Sequence, residues 1–150
     1  MKIGIISDTH GLLRPRVAEL FAGVDHILHA GDVGGEHVLR ALRELAPVTY
    51  VGGNNDENSD GFEIVRVTLG GLRILLTHIL PKPEQPRDAV LASLRATPAD
   101  LVVFGHSHLP YNEVIHGVRF FNPASAGPKR FKNPILIGII DKGVPHHVAL

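Results

Sequence analysis

The sequence predicts an α/β protein in which two β-sheets pack face to face with helices outside, the first sheet parallel and the second largely antiparallel. Three observations predict it. The first third alternates apolar runs with amphipathic segments, the middle carries a glycine-glycine hairpin signal, and the last third is strand-rich. Strand and helix in alternation give a parallel sheet with crossover helices, whereas hairpins give antiparallel pairs.

Each element follows in order. "KIGIIS" is a compact apolar strand ending in the polar "DTHG", and "PRVAELFAG" carries Val17, Leu20 and Phe21 at helical spacing, with Pro15 suited to a first turn. "DHILHAGD" reads as the second strand, and "GEHVLRALRELA" puts Val38, Leu39, Leu42 and Leu45 on one helical stripe. "PVTYVGG" is the third strand and opens into "NNDEN", a loop by its Asn content. In "FEIVRVTLGGLRILLTHI" two strands meet at Gly70 and Gly71, and one helix follows within "PEQPRDAVLASLRA". "DLVVFGHSH" is a strand, "YNEVIHGVRFFNPAS" a hairpin turning near His116 and Gly117, and "PILIGIIDKG" and "HHVAL" complete the set. No repeat or linker divides the chain, so residues 1–150 read as one domain.

Composition narrows the function. Formal charge is zero with pI near 7.2, and Lys and Arg are scattered, so no dedicated nucleic-acid-binding surface is expected and a small substrate is. The absence of cysteine excludes disulfides, thiolate nucleophiles and thiolate zinc sites, and fits a reducing cytoplasm. The N-terminus turns polar too soon for a signal peptide, and the longest apolar run, "PILIGII", is far too short to span a bilayer, so a soluble, cytoplasmic protein without membrane contact is expected. Aromatic residues make up only 5%, which disfavours binding by stacking, while ten histidines direct attention to imidazole chemistry.

The polar residues directly after the apolar strands are Asp8, His10, Asp32, Asn54, His78, His106 and His108. In open α/β sheets the carboxyl ends of strands are where ligands bind. Residues two apart in an extended segment point the same way, so Asp8 with His10, and His106 with His108, can each aim at one place. These nitrogen and oxygen donors exceed what one ion needs and suit two borderline divalent ions about 3.5–4 Å apart, with Asp32 as the natural bridge. Two such ions, less two carboxylates and a bridging hydroxide, leave roughly one positive charge to attract an anion such as phosphate, and they would acidify that water to a pKa near 7.

The ordered set Asp8-x-His10, Gly31-Asp32, Gly53-Asn54-x-Asp56, His78 and Gly105-His106-x-His108 resembles the calcineurin-like metallophosphoesterases, and the "NPAS" segment looks most like their small YfcE-like phosphodiesterase branch. The resemblance implies a four-layer αββα sandwich of two mixed β-sheets flanked by helices. It implies two divalent metal ions, manganese first, with nickel, cobalt, iron or zinc also suited. Asp8, His10, Asp32 and His108 would hold one, and Asp32, Asn54, His78 and His106 the other. The activity implied is hydrolysis of a small phosphodiester or nucleotide-type substrate by hydroxide bridging the two ions. A homo-oligomer is compatible with all of this.

Three positions depart from the wider family. Asn55 stands where many members keep a histidine that serves the leaving group, Leu80 replaces a second histidine and is expected to leave an apolar wall, and Ala124 replaces a glycine in Asn122-Pro123-Ala124-Ser125. Asn55, Ser125 and Arg130 are the candidate substrate contacts; Lys129 and Arg130 read equally well as a solvated basic turn. Asp56 and His29 are candidates to orient ligands from outside the metal shell.

Plainer roles exist for each residue alone. Asp8 and Asp32 could cap the first and second helices, Asn54 and Asn55 could be turn residues, and His78, His106 and His108 could be structural. Nothing about capping or turns, however, requires all of them at one sheet edge. His26, His37, His116, His146 and His147 are read as structural or surface residues. The competing functions are a non-catalytic scaffold, as a retromer subunit of the same fold is, and metal-dependent hydrolysis of something other than a phosphate ester.

Overall fold

The computed structural model describes residues Met1–Leu150 and contains ten strands and three short helices in the order β1 (Ile3–Ile6), α1 (Arg16–Leu20), β2 (His26–His29), α2 (Glu36–Arg43), β3 (Val48–Tyr50), β4 (Ile64–Leu69), β5 (Leu72–Thr77), α3 (Asp88–Ala96), β6 (Leu101–Val103), β7 (Pro110–Ile115), β8 (Val118–Pro123), β9 (Leu136–Asp141) and β10 (Val144–Ala149). They form two five-stranded sheets, ordered β10-β9-β1-β2-β3 and β4-β5-β6-β8-β7. No helix is long and apolar enough to cross a membrane.

Both sheets are mixed, which corrects the expectation of one parallel and one largely antiparallel sheet. In the first, β1, β2 and β3 are parallel, but β9 joins β1 antiparallel and brings β10 with it. In the second, β5, β6 and β8 are parallel and only the outer strands β4 and β7 run against them. Crossover connections therefore build the centre of each sheet and hairpins its edges. The hairpins at Gly70–Gly71 and His116–Gly117 occur as expected, each with both turn residues at positive φ, as a twisted two-residue hairpin requires.

Three apolar layers hold four layers of structure together, and strand alternation assigns side chains to them. Ile5, Leu28, Ile74, Leu76, Leu101, Val103 and Phe121 fill the space between the sheets. Their neighbours Ile6 and Ile27 point outward to Val17 and Phe21 of the α1 region and to Val38, Leu39 and Leu42 of α2. Leu75, Val102 and Phe120 point to the opposite outside, against Val90 of α3. Strands covered on both faces read as unbroken apolar runs, which is why "KIGII" and "LVVF" lack alternation. Each fully buried aliphatic side chain contributes about 1.5–3 kcal/mol.

The consequence for function lies at one rim. The carboxyl ends of the parallel strands β1, β2, β3 in one sheet and β5, β6, β8 in the other all deliver their loops there, and these loops carry Asp8, Asp32, Asn54, His78, His106 and Ser125.

Candidate metal centre

The seven donors converge. Asp8, His10 and His108 place one ligand atom each within 4.8 Å of one another, and so do Asp32, His78 and His106. His10 Nε2 and His108 Nε2 face each other at 3.4 Å. Asn54 Oδ1 lies 3.1 Å from both His78 Nε2 and His106 Nδ1, which adds the amide to the second group. Asp32 Oδ2 stands between the groups, 3.6 Å from His10 Nε2 and 3.2 Å from His78 Nε2.

One atom tests whether this set fits a cation. Asp8 is fully buried; its Oδ2 accepts from Ser7 Oγ at 2.8 Å and from the His106 N–H at 3.2 Å, while its Oδ1 has no hydrogen-bond partner. That orphaned oxygen lies 3.3 Å from His108 Nε2, 3.8 Å from His78 Nε2 and 3.9 Å from His10 Nε2. A buried carboxylate oxygen left unpaired costs free energy unless something positive serves it. The donors therefore fit a divalent ion with nitrogen and oxygen ligands.

The backbone at these positions departs from the sequence argument. The alternate-residue reading assumed extended segments, but Asp8, His10, Asp32, His106 and His108 all have positive φ, between 46° and 71°. The pairs aim at one place because tight left-handed turns fold each loop back over the rim. Such angles cost non-glycine residues about 1–3 kcal/mol and gather at functional sites. Ala124 adopts φ 67°, an angle that favours glycine.

Two glycines let the loops close in. A Cβ on Gly53 would collide with the backbone nitrogen and Oδ1 of Asp32, and one on Gly105 would overlap Ser7 Oγ. In "VGGNN" it is thus Gly53 that serves approach to a carboxylate as well as the turn.

The capping roles are not used. Pro15 and Gly35 stand at the N-caps of α1 and α2, and neither helix has a side-chain cap. Asp32 is gripped instead by Asn55, whose backbone N–H donates to Oδ1 at 2.9 Å and whose amide donates to Oδ2 at 3.0 Å. Burial pushes the Asp32 pKa up, but hydrogen bonds from His78 and Asn55 outweigh it and hold the carboxyl well below its usual range. Burial opposes charge on His78, yet its bond to Asp32 and the nearby Asp8 carboxylate raise its pKa, so the cluster draws positive charge to this point. His10 and His106 are lowered, chiefly by burial, which favours the neutral imidazole that binds metals.

An outer ring of residues fixes the donors. His78 Nδ1–H donates to Ala30 O at 2.7 Å and turns Nε2 inward. Asp56 accepts from the N–H groups of Val33, Gly34 and Gly53 at 2.9–3.0 Å; its carboxylate ties the Asp32 loop to the Asn54 loop through backbone groups. His29 is fully buried: its Nδ1 accepts from the Gly31 N–H at 3.1 Å, so Nε2–H donates to Thr9 Oγ1 at 3.0 Å, and Thr9 donates to Val33 O at 2.7 Å. It braces the Asp8 and Asp32 loops from below.

Ser125 is not a surface substrate contact. It is buried, and its hydroxyl donates to Asp8 O at 3.0 Å and accepts from the Gly127 N–H at 3.2 Å, because the strand that delivers it ends beneath the rim. Leu80 is likewise buried in the outer cluster with Val90 and Phe104. Arg130 is exposed in the loop above. Sequence reasoning missed Ser7 and the side chain of Asn122, whose amide donates to Gly105 O at 3.0 Å and to Ser107 Oγ at 3.2 Å. Their signal was adjacency: each abuts a motif already identified.

A four-layer α/β sandwich with nitrogen and oxygen donors at the shared rim of its two sheets is the architecture of metal-dependent phosphoesterases. Residues 1–142 match the calcineurin-like phosphoesterase superfamily domain, and the chain belongs to that family. It is similar to the phosphodiesterase YfcE of Escherichia coli strain K12, with 34% identity over 177 positions that cover 100% of this chain and 92% of the relative. The YfcE structure superposes with a TM-score of 0.71 at 30% identity over 99% of both chains. An archaeal phosphodiesterase superposes at 0.80 with 24% identity over 100% of both chains. Vps29 of Chaetomium thermophilum superposes at 0.77 with 19% identity, over 100% of this chain and 96% of its own. The last two likenesses speak to fold alone.

Proposed function

We propose that this member of the family is a phosphodiesterase that works with two divalent metal ions. The observation that carries the reading is the pair of carboxylate oxygens: Asp8 Oδ1, buried and unpaired among three imidazoles, and Asp32 Oδ2, set between the two donor groups. Asp8, His10, His108 and Asp32 would hold one ion, and Asp32, Asn54, His78 and His106 the other. Manganese is the first choice; nickel, cobalt, iron and zinc suit the same donors. When bound, such ions polarise a phosphoryl oxygen and lower the pKa of water toward neutrality.

The chain's own contribution is positioning. Asn55 and the Gly53 turn hold Asp32, Ser7 holds Asp8, and Ala30 O keeps His78 facing inward. Hydrolysis adds water across one P–O bond of a phosphodiester, giving a phosphomonoester and an alcohol or phenol. Asn55 cannot donate a proton as an acid, and its backbone N–H and one amide N–H are turned to Asp32. General acid catalysis typically supplies 10²- to 10⁴-fold, so its absence at this position favours leaving groups that depart unprotonated.

The test is hydrolysis of aryl and alkyl phosphodiesters with manganese. The expected result is a steep dependence on leaving-group pKa, with bis(4-nitrophenyl) phosphate far ahead of alkyl esters. Equal rates would contradict the mechanism. The second reading is a non-catalytic protein-interaction scaffold of the same fold; a purified chain that takes up no divalent metal at micromolar concentration would favour it.

A further inference from the structure

The segment after Ser125 is placed and equipped unlike any other surface of the molecule. Its root is fixed to the centre: the Ala126 N–H donates to Ser7 O at 3.0 Å, Gly127 packs against the backbone of Asp8 and Thr9, and Arg14 Nη2 donates to Gly127 O at 3.0 Å. Its far end returns through the bridge between Ser125 and Ile135, and the Asn133 N–H closes a turn on Arg130 O at 3.1 Å. At the tip stand Lys129, Arg130, Phe131 and Lys132, all exposed. Phe131 is 95% exposed, far beyond any other large apolar side chain, and its φ of 53° lies in a region that bulky residues seldom adopt.

Low aromatic content sets stacking aside for the chain as a whole, yet this one aromatic is presented with three cations on a loop rooted at the metal ligands. Cations that follow a phosphate backbone and an aromatic face that takes a base are the two elements of single-strand recognition.

We propose that the 129–132 loop binds the single-stranded end of an oligonucleotide, with a base stacked on Phe131 and flanking phosphates held by Lys129, Arg130 and Lys132. The inference rests on the phosphodiesterase reading and specifies its substrate class. Outside this loop acidic side chains outnumber basic ones by three, which confines the recognition to a few nucleotides.

The chain contains no tryptophan, so Phe131→Trp installs a single reporter on an exposed side chain. Titration of this variant with a 5′-phosphorylated thymidine tetranucleotide, without divalent metal and at low salt, should quench its fluorescence saturably. A fluorescein-labelled tetranucleotide should bind Phe131→Ser about tenfold more weakly than the parent chain by anisotropy, within the range for loss of one stacked base. The parent's log affinity should fall with log salt at a slope of about −2, since each phosphate contact on a single strand contributes roughly 0.7. Absence of quenching, or equal affinity of parent and Phe131→Ser, would overturn the proposal. So would a blue shift of the tryptophan with phosphatidylglycerol vesicles and no response to the tetranucleotide, which would assign the loop to an anionic membrane surface. Parallel assay of the parent on bis(4-nitrophenyl) phosphate separates the two claims: activity without nucleotide binding removes the loop's role and leaves the phosphodiesterase, and binding without activity does the reverse.

Discussion

Asn55 holds Asp32 at both carboxylate oxygens, its backbone N–H donating to Oδ1 at 2.9 Å and its side-chain amide to Oδ2 at 3.0 Å. The residue directly after Asn54 therefore steadies the carboxylate between the two donor groups. Asn55→His should put a proton donor at the rim and remove the amide from Oδ2. Hydrolysis of alkyl diesters should rise relative to aryl diesters, while manganese affinity falls about 10- to 100-fold, the usual cost of losing an orienting partner. Rates on an ester series and a metal titration check both arms; an unchanged ester preference would contradict the role given to this position.

Asp56 satisfies three backbone N–H groups, of Val33, Gly34 and Gly53, and so ties two ligand loops together. Two of those residues, Val33 and Gly53, are buried. Asp56→Ala should cost about 2–4 kcal/mol, since buried donors would lose a charged acceptor. Urea midpoints measure that loss, and a metal titration should show weakened uptake although no proposed ligand has changed.

His29 carries a pH dependence with a definite sign. Burial pushes its pKa down to about 4 from an ordinary 6.5, and protonation would break the bond that Nδ1 accepts from Gly31. The unfolded chain takes up this proton near 6.5 and the folded chain only near 4, so the contribution to stability is full above 6.5 and is lost as pH falls toward 4. The loss reaches roughly 3 kcal/mol. Urea melts of the metal-free chain at pH 7.5 and 5 should show the advantage over His29→Gln shrinking by about 2 kcal/mol. An advantage that does not change with pH would contradict a neutral, buried His29.

The sequence reveals donors more readily than the geometry that joins them. Asp8, Asp32, Asn54, His78 and His106 were legible because apolar runs locate strand ends, and a polar residue directly after a buried strand has to sit at the rim. The left-handed angles of Asp8, His10, Asp32, His106 and His108 were not, because none is a glycine and no local signal announces strain that tertiary packing supports. The pairing of β9 with β1 was hidden for a related reason. Periodicity marks a segment as a strand but says nothing of which strand lies beside it. Ser125 was misjudged because motif position alone does not distinguish a side chain above the rim from one beneath it.

The central claim is that Asp32 is shared between two metal ions. Its most direct test is the metal content of the purified chain and of Asp32→Asn after equilibration with manganese and desalting, measured beside hydrolysis of bis(4-nitrophenyl) phosphate. The account predicts two ions per parent chain with activity, and loss of both uptake and hydrolysis in Asp32→Asn. Retained hydrolysis in the variant, or a parent chain that hydrolyses the ester with no metal bound, would contradict it.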